Sequence, residues 1–183
     1  MSINCSVYIA ASFDGFIARP DGDIEWLHNP EYESPDKFGL SYDEFIATVD
    51  TLVMGRNTFE KVLSFSPWPY QGVPVLVLSS QGVEIPAHLK EAVRVDAGKP
   101  EEIVSRLESE GKKHLYIDGG VTIQRFLQAK LISDITVTQI PILLGRGLPL
   151  FGSIEFEIPL KHLESTSSSN GFVQSRYQVA YAA

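Results

Sequence analysis

Three short apolar segments end in residues that suit a phosphorylated ligand. The residues that follow them are Gly55, Arg56, Asn57 and Thr58 after the first segment, Ser79 and Ser80 after the second, and Asp118, Gly119, Gly120, Val121 and Thr122 after the third. Glycine lets a ligand lie directly against the backbone, and the first N–H groups of a helix attract an anion. Two helix starts and one arginine would suit the pyrophosphate of a dinucleotide.

A purely structural explanation of the same residues stays open. Asn57 and Thr58 are ordinary helix-capping residues, and Arg56 would then be a solvated surface charge. A tight strand-to-helix turn also explains Gly119 and Gly120 without a ligand. The spacing of these residues does not choose between the two explanations.

Other candidate residues lie outside these segments. Asp14 follows the first apolar segment and is a candidate catalytic acid, although Asp14-Gly15 also has the composition of a turn. Trp26, like the aromatic residues of the loop around position 68, would either form a wall for a flat substrate or anchor a loop to the core. Arg146, between two glycines, would meet a substrate phosphate or simply face solvent.

The elements that position these residues alternate between strand and helix. The sequence predicts strands at 3–11, 51–54, 73–78, 92–95, 114–117 and 134–140, helices that begin at Ser41, Asn57 and Pro100, and a further helix after the glycine pair 119–120. Segments 160–165 and 172–181 flank Asn170-Gly171, which favours a hairpin. This order predicts an α/β fold in which an antiparallel hairpin closes a mostly parallel sheet, and we expect residues 1–183 to form a single domain.

Composition excludes several classes of function. The net charge of −8, without a dense basic cluster, argues against a nucleic-acid-binding protein. No apolar segment approaches the length of a membrane span, and the four histidines show no metal-ligand spacing. Cys5, the only cysteine, excludes an intramolecular disulfide and indicates a reducing cytoplasm; its apolar neighbours predict a buried structural thiol.

The three motifs together resemble the dihydrofolate reductase superfamily. Met54-Gly55-Arg56-Asn57-Thr58-Phe59-Glu60 is similar to the start of the family's second main helix, Val77-Leu78-Ser79-Ser80-Gln81 to its adenosine-side strand end, and Ile117-Asp118-Gly119-Gly120 to its pyrophosphate segment. The resemblance implies a three-layer α/β/α sandwich. It also implies that the strand-end residues named at the outset bind NADPH.

Two further segments resemble one branch of that superfamily, the reductase domain of riboflavin biosynthesis. They are the segment from Ala11 to Ala18 and the segment from Pro141 to Phe151, which contains Arg146. This resemblance implies a homodimer that reduces a pteridine or a ribosylaminopyrimidine with NADPH. Trp26 and Arg146 would contact the substrate, and Asp14 or water would supply a proton.

The sequence departs from the superfamily pattern at two positions. Where dihydrofolate reductases carry a helix acid, the count falls near Gly39, and Asp43 and Glu44 come only later; this argues against folate reduction itself. Val121 replaces a basic residue that contacts the 2′-phosphate in many relatives, so a preference for NADP rests on Arg56 with Ser80. The missing acid leaves a second hypothesis open, a nucleotide-binding module without turnover. A hydrolase or kinase is disfavoured, because neither a nucleophile elbow nor a phosphate-binding loop with Lys is present.

Overall fold

The computed structural model describes residues 2–33 and 37–182, which form ten strands and four α-helices. The strands are β1 Asn4–Ser12, β2 Phe16–Ala18, β3 Thr51–Gly55, β4 Val75–Leu78, β5 Val93–Asp96, β6 His114–Asp118, β7 Asp134–Ile140, β8 Leu148–Pro149, β9 Leu160–Ser167 and β10 Val173–Val179. The helices are α1 Tyr42–Ile46, α2 Arg56–Leu63, α3 Pro100–Ser109 and α4 Gly120–Gln128.

Eight strands form one sheet in the order β5-β4-β3-β6-β1-β7-β10-β9. The first six run parallel, whereas β10 runs antiparallel to both β7 and β9. The predicted mostly parallel sheet with a C-terminal antiparallel hairpin is therefore confirmed. No sequence pattern indicated the second, small sheet, in which β2 pairs with β8 and ties the turn after β1 to the loop after β7.

Two hydrophobic clusters cover opposite faces of the large sheet. One joins Leu115 and Ile117 of β6 to apolar side chains of α3 and α4. The other joins Tyr116 to Phe45 of α1 and Phe59 of α2. Because successive residues of a strand point to opposite faces, this alternation produces a helix layer on each side and confirms the three-layer α/β/α sandwich.

Helix starts follow the sequence at two positions and depart from it at a third. Ser41 caps α1 through the predicted capping box with Glu44, and Pro100 occupies the first turn of α3. Asn57 was predicted to cap the second helix, and this was wrong: α2 begins at Arg56, and Gly55 is its N-cap residue without a side-chain cap. The strand simply runs into the helix, which moves Asn57 inside the first turn.

A buried amide links the C-terminal hairpin to the segment that precedes α1. The Gln174 side chain on β10 donates from Nε2 to the Leu40 carbonyl, at 2.9 Å, and accepts at Oε1 from the Leu40 N–H, at 2.7 Å. The Tyr8 hydroxyl donates to the same carbonyl, at 2.7 Å. These bonds fix the backbone two residues before Tyr42, the first residue of α1.

Cys5 is an interior thiol, as predicted. It lies on β1 and is 1% exposed. Burial raises its pKa to about 12, and the charge of Asp134 adds to this effect. The thiol therefore stays protonated and unreactive in the folded protein.

Candidate functional site

The three motif-bearing strand ends meet at one edge of the sheet. β4, β3 and β6 are parallel neighbours, and the register pairs Gly55 with Leu78 and Met54 with Asp118. The carboxyl ends of parallel strands in such a sheet are the usual position of a ligand crevice. The structure therefore brings the three groups of candidate cofactor residues together.

Two glycine turns interlock at this edge, one before α2 and one before α4. Gly119 has a φ of +94°, and a Cβ there would lie 2.6 Å from Oγ1 of Thr58. A Cβ on Gly55 would lie 3.0 Å from Oγ1 of Thr122. Each glycine therefore makes room for a hydroxyl from the opposite helix, and the two helix starts lie side by side.

Both helix starts keep their positive ends open. Within the described residues, neither Gly55 before α2 nor Gly119 before α4 provides a side-chain cap for the first-turn N–H groups. Uncapped N–H groups at adjacent helix starts attract an anion through hydrogen bonds and through the helix dipoles. This cradle fits a diphosphate group.

The remaining candidate cofactor residues surround the cradle. The Arg56 guanidinium donates to Glu60 at 2.8 Å and to Gln81 at 3.2 Å, which directs it towards the end of β4. Ser79 donates its hydroxyl to the Gly82 carbonyl at 3.0 Å. Asn57 and Ser80 are exposed. Arg56 is therefore already paired with one carboxylate, that of Glu60.

A cavity of about 440 Å³ lies beside Val121, on the outer face of α4. Val121 itself is 72% exposed. Lys99, before α3, and Arg125, on α4, contribute two positive charges to the cavity lining, and Glu101 contributes one negative charge. Cations therefore stand close to Val121 even though that position carries none.

Asp14 is held by hydrogen bonds that give it a structural role. Oδ1 accepts from the Ser12 hydroxyl at 2.6 Å and from the Leu144 N–H at 3.1 Å, and Oδ2 accepts from the Gly145 N–H at 2.8 Å. The Ser12 bond and then the backbone bonds lower the pKa of Asp14. A lowered pKa is the reverse of what a proton donor near neutral pH requires, and the carboxylate instead ties the β1–β2 turn to the loop after β7.

Asp118 differs from Asp14 because its surroundings raise the pKa of its carboxyl. It is half-buried at the end of β6, where Oδ1 accepts one hydrogen bond, from the Gly119 N–H at 2.9 Å. Burial raises its pKa to about 6, and that single bond opposes the rise only in part. The sequence placed Asp118 in the cofactor turn, but nothing in the sequence signalled a perturbed acid.

Aromatic side chains from separate elements gather near this carboxyl. Burial raises the pKa of Tyr42 to about 12, and the Asp118 charge adds to the effect. The pKa values of Tyr70 and Tyr116 are raised by the same two causes, in the same order. The Tyr70 ring packs edge-on against Trp68, with ring centroids 5.4 Å apart.

The two predicted substrate residues have different surroundings. Trp26 is 4% exposed, and its Nε1 has no hydrogen-bond partner within the described part of the chain. Such burial fits the loop-anchor alternative better than an open substrate wall. Arg146 is exposed in the loop that Asp14 holds. A contact of either residue with substrate remains a prediction.

Two residues that shape the site have no recognisable sequence signal. Tyr42 reads as an ordinary first-turn residue of α1, and Gln174 as an ordinary polar position on a hairpin strand. Only the fold brings the hairpin against the segment before α1. In the ranges 2–33 and 37–182, no group of acidic, histidine or cysteine side chains is arranged to hold a metal, and no helix is sufficiently long and apolar to cross a membrane.

Comparison with known proteins identifies a family over most of the chain. Residues 5–174 match the RibD C-terminal domain. YwjB, an uncharacterised protein of Bacillus subtilis (strain 168), is 33% identical over 177 residues, which cover 93% of this chain and 95% of YwjB.

Solved structures agree with this assignment. A protein from Shewanella sp. PV-4, provisionally named for riboflavin biosynthesis, is 39% identical with a TM-score of 0.90, over 98% of this chain and 100% of that one. Two more distant structures share the fold. The Thermotoga maritima diaminohydroxyphosphoribosylaminopyrimidine deaminase/5-amino-6-(5-phosphoribosylamino)uracil reductase has a TM-score of 0.72 at 16% identity, over 98% of this chain and 57% of that one. Enterococcus faecalis dihydrofolate reductase, complexed with NADP(H) and RAB-propyl, has a TM-score of 0.59 at 18% identity, over 98% and 97%.

Proposed function

The chain belongs to the RibD C-terminal domain family, and from this premise we propose that it is an NADPH-dependent reductase of a pterin-type or ribosylaminopyrimidine-type heterocycle. The observation that carries the proposal is the pair of interlocked, uncapped helix starts at the carboxyl edge of the sheet. The reduced nicotinamide would supply the hydride, and the protein would supply binding and orientation.

The cofactor diphosphate would lie over the two glycine turns. Gly119 and Gly120 offer backbone without side chains, and Thr58 and Thr122 place hydroxyls between the two helix starts. Arg56 stands next to this cradle. These features support a dinucleotide over a lone phosphate, because they extend from one helix start to the other.

NADP is preferred over NAD in this proposal because positive charge lies at the adenosine end. Arg56 with Ser80 would meet the 2′-phosphate, and Lys99 and Arg125 of the adjacent cavity would add to the attraction. Val121 contributes no charge to that preference. Replacement of Lys99 by Ala should weaken the binding of NADPH and leave the binding of NADH nearly unchanged, as measured by fluorescence titration.

A flat heterocycle suits the aromatic recess beside the cradle. The Asp118 charge contributes to the raised pKa values of Tyr42, Tyr70 and Tyr116, which therefore lie near it, and Trp68 packs edge-on against Tyr70. Aromatic rings favour stacking on flat rings, and hydroxyls offer hydrogen bonds to ring nitrogens and carbonyls. The name of the Thermotoga relative includes a uracil reductase, which makes a ribosylaminopyrimidine the first substrate to test.

Thermal unfolding with nicotinamide nucleotides tests the first step of the proposal. NADPH at about a hundred times its Kd should stabilise the fold by roughly 2.7 kcal/mol. Consumption of NADPH in the presence of 5-amino-6-(5-phosphoribosylamino)uracil or dihydrofolate then tests the reduction. No shift in melting temperature with either nucleotide would contradict the proposal at the cofactor stage.

A second candidate function is a nucleotide-binding module without turnover. Gly39 favours it, because the segment before α1 holds a glycine with a φ of +58° where dihydrofolate reductases carry an acid. This module would show the thermal shift with NADPH but no loss of reduced-nicotinamide absorbance with pyrimidines or pteridines. The two functions therefore separate at the second step of the same experiment.

We also propose that the protein is a homodimer, as the family resemblance implies. Every residue of β9 except Thr166 is exposed, and β9 forms one edge of the large sheet. Leu160 and Leu163 on this strand are 44% and 50% exposed. An open edge with apolar side chains is the kind of surface that a second subunit covers.

Light scattering tests this assembly. Replacement of Leu163 by Asp should shift the molar mass from that of a dimer to that of a monomer. Leu143, which is 69% exposed in the loop after β7, provides the matched control. An unchanged mass in both variants would remove β9 from the interface.

A further inference from the structure

Tyr42 is the most accessible member of the tyrosine recess, the group formed by Tyr42, Tyr70 and Tyr116 near Asp118. The Tyr42 side chain is 37% exposed, whereas Tyr116 is buried. Within the described part of the chain, the Tyr42 hydroxyl donates no hydrogen bond. A phenol that is open to solvent and has an unused O–H offers both a ring and a donor to a bound heterocycle.

The Tyr42 ring packs against a second ring, that of Tyr8 on β1. The two rings meet edge-on with their centroids 6.0 Å apart, and Tyr8 also stacks on Phe45 of α1, with centroids 4.8 Å apart. The Tyr8 hydroxyl donates to the Leu40 carbonyl at 2.7 Å. Tyr8 therefore contacts both the helix that carries Tyr42 and the segment that precedes this helix.

Both backbone groups of Leu40 bond to one buried side chain. The Gln174 amide, on β10, accepts at Oε1 from the Leu40 N–H at 2.7 Å and donates from Nε2 to the Leu40 carbonyl at 2.9 Å. The Leu40 carbonyl thus accepts from Gln174 and from Tyr8 together. A buried polar network with its members bonded holds the backbone in a single geometry.

Gly39 makes room for this amide. Its φ is +58°, and a Cβ at this position would collide with Oε1 of Gln174 and lie 3.0 Å from Cδ. A side chain at residue 39 would therefore displace the amide or the backbone that the amide holds. Gly39 and Gln174 form an interlocked pair, although they come from opposite ends of the chain.

We propose that Gln174 is a positioning residue of the reductase site: together with Gly39 it fixes Leu40, and through Leu40 and Tyr8 it sets where Tyr42 presents its ring and hydroxyl to the heterocyclic substrate. This inference rests on the proposed function. Gln174 is 3% exposed, so it acts through its neighbours and not by touching a ligand.

The cofactor cradle lies outside this network. Within the described residues, the side-chain hydrogen bonds of Gln174 go to Leu40 and Thr138, and none goes to the starts of α2 or α4. Loss of the Gln174 amide should therefore change the binding of the heterocycle and leave the binding of NADPH nearly unchanged.

The first test reports the position of Tyr42 without turnover. Gln174→Met keeps the side-chain length but removes both hydrogen bonds to Leu40, and Gln178→Met, at an exposed position of the same strand, is the matched control. In ligand-free protein that contains tyrosine labelled with ¹³C at Cζ, the NMR signal of Tyr42 is assigned by its loss in Tyr42→Phe. This signal should move or split in Gln174→Met and stay in place in Gln178→Met.

Kinetics separates positioning from a simple loss of stability. At a temperature at which circular dichroism shows every variant folded, Gln174→Met should raise the KM for 5-amino-6-(5-phosphoribosylamino)uracil about tenfold, while the Kd for NADPH changes by less than about twofold. Gly39→Ala should raise the KM in the same way, because its Cβ displaces the amide. Gly22→Ala is its control, since Gly22 has a φ of +86° but no atom within 4 Å of its Cβ.

The outcomes separate this inference from the proposed function. If the Tyr42 signal stays in place in both Gln174→Met and Gly39→Ala, or if both variants keep the wild-type KM, the inference is overturned while NADPH reduction stands. An equal loss of NADPH and substrate binding would also overturn it, because that result indicates a general structural role. If the wild type binds no NADPH, the proposed function itself fails, and the NMR comparison alone decides whether Gln174 positions Tyr42.

Discussion

Two aspartate–glycine pairs end neighbouring strands of this sheet, and their carboxyls have opposite properties. Asp14-Gly15 follows β1 and Asp118-Gly119 ends β6, and both glycines have positive φ, +88° and +94°. The Asp14 carboxylate accepts three hydrogen bonds and its pKa is lowered. The Asp118 carboxyl accepts one hydrogen bond, and its pKa is raised to about 6.

The difference between the pairs lies in what the fold brings against each turn. The loop after β7 brings two N–H groups to Asp14, because the β2–β8 pairing holds that loop in place. Within the described residues, no loop brings N–H groups to Asp118 in this way; Tyr42 and Tyr70 lie close enough for its charge to raise their pKa values. The same dipeptide therefore becomes a structural anchor where backbone donors converge, and a carboxyl with a raised pKa where burial outweighs a single hydrogen bond.

Replacement of Gly119 by Ala should have the largest effect on stability and on cofactor binding. Gly119→Ala combines a left-handed backbone with a Cβ 2.6 Å from Thr58 Oγ1, and we expect it to destabilise the fold by about 2–4 kcal/mol and to weaken NADPH binding at least about tenfold. Gly15→Ala is the control, because its φ is similar but no atom lies within 4 Å of its Cβ.

We expect Gly15→Ala to cost only about 1–2 kcal/mol and to leave NADPH binding unchanged. Urea unfolding and fluorescence titration measure both quantities. Equal costs at the two sites would show that the helix starts do not interlock in solution.

Asp118→Asn has the next largest expected effect, and it is stabilising. The pKa of Asp118 rises from 3.8 to about 6 on folding, so the folded state resists ionisation of this carboxyl. Its contribution to the free energy of unfolding is retained below pH 3.8 and lost as the pH rises through about 6. At pH 7.5 the Asn variant should therefore be more stable than the wild type by about 3 kcal/mol, and at acidic pH this gain should vanish. Urea unfolding across this pH range measures the gain; a constant difference would contradict the raised pKa.

Asp14→Asn gives the smallest effect and the opposite sign. Because folding lowers the pKa of Asp14, the carboxylate stabilises the fold above its ordinary value of 3.8, and this contribution disappears as the pH falls through the lowered pKa. The Asn variant should melt at a lower temperature than the wild type at pH 7, and the two should converge on acidification. Asp21→Asn, in another exposed aspartate–glycine turn, is the control and should change little.

Local signals in the sequence were sufficient for most of the fold. The predicted strand at 134–140 matches β7, and Ser41 caps α1 as its spacing indicates. The same capping pattern was misleading at Asn57, where a strand runs into α2 without a loop that would need a side-chain cap. Periodicity marks where an element lies, but the direct strand-to-helix junction shifts its first residue.

Only the cofactor-binding part of the site could be predicted, because short local motifs form it. The cofactor cradle uses residues adjacent in sequence to their glycines, so the turns at Gly55 and Gly119 were recognisable. The tyrosine recess draws on α1, a loop and β6, and its polarity depends on burial. Asp118 therefore appeared as a cofactor residue, and its perturbed acidity emerged only from the folded chain.

The hydrogen bonds of Gln174 to Leu40 connect the recess to the far end of the chain. A ligand held against Tyr42 would favour the arrangement of the preceding backbone that these bonds require. Ligand binding would then slow amide hydrogen exchange in the terminal hairpin. By thermodynamic reciprocity, opening of the hairpin would weaken substrate binding more than cofactor binding. The last strand is in this way linked by hydrogen bonds to the segment that leads into α1.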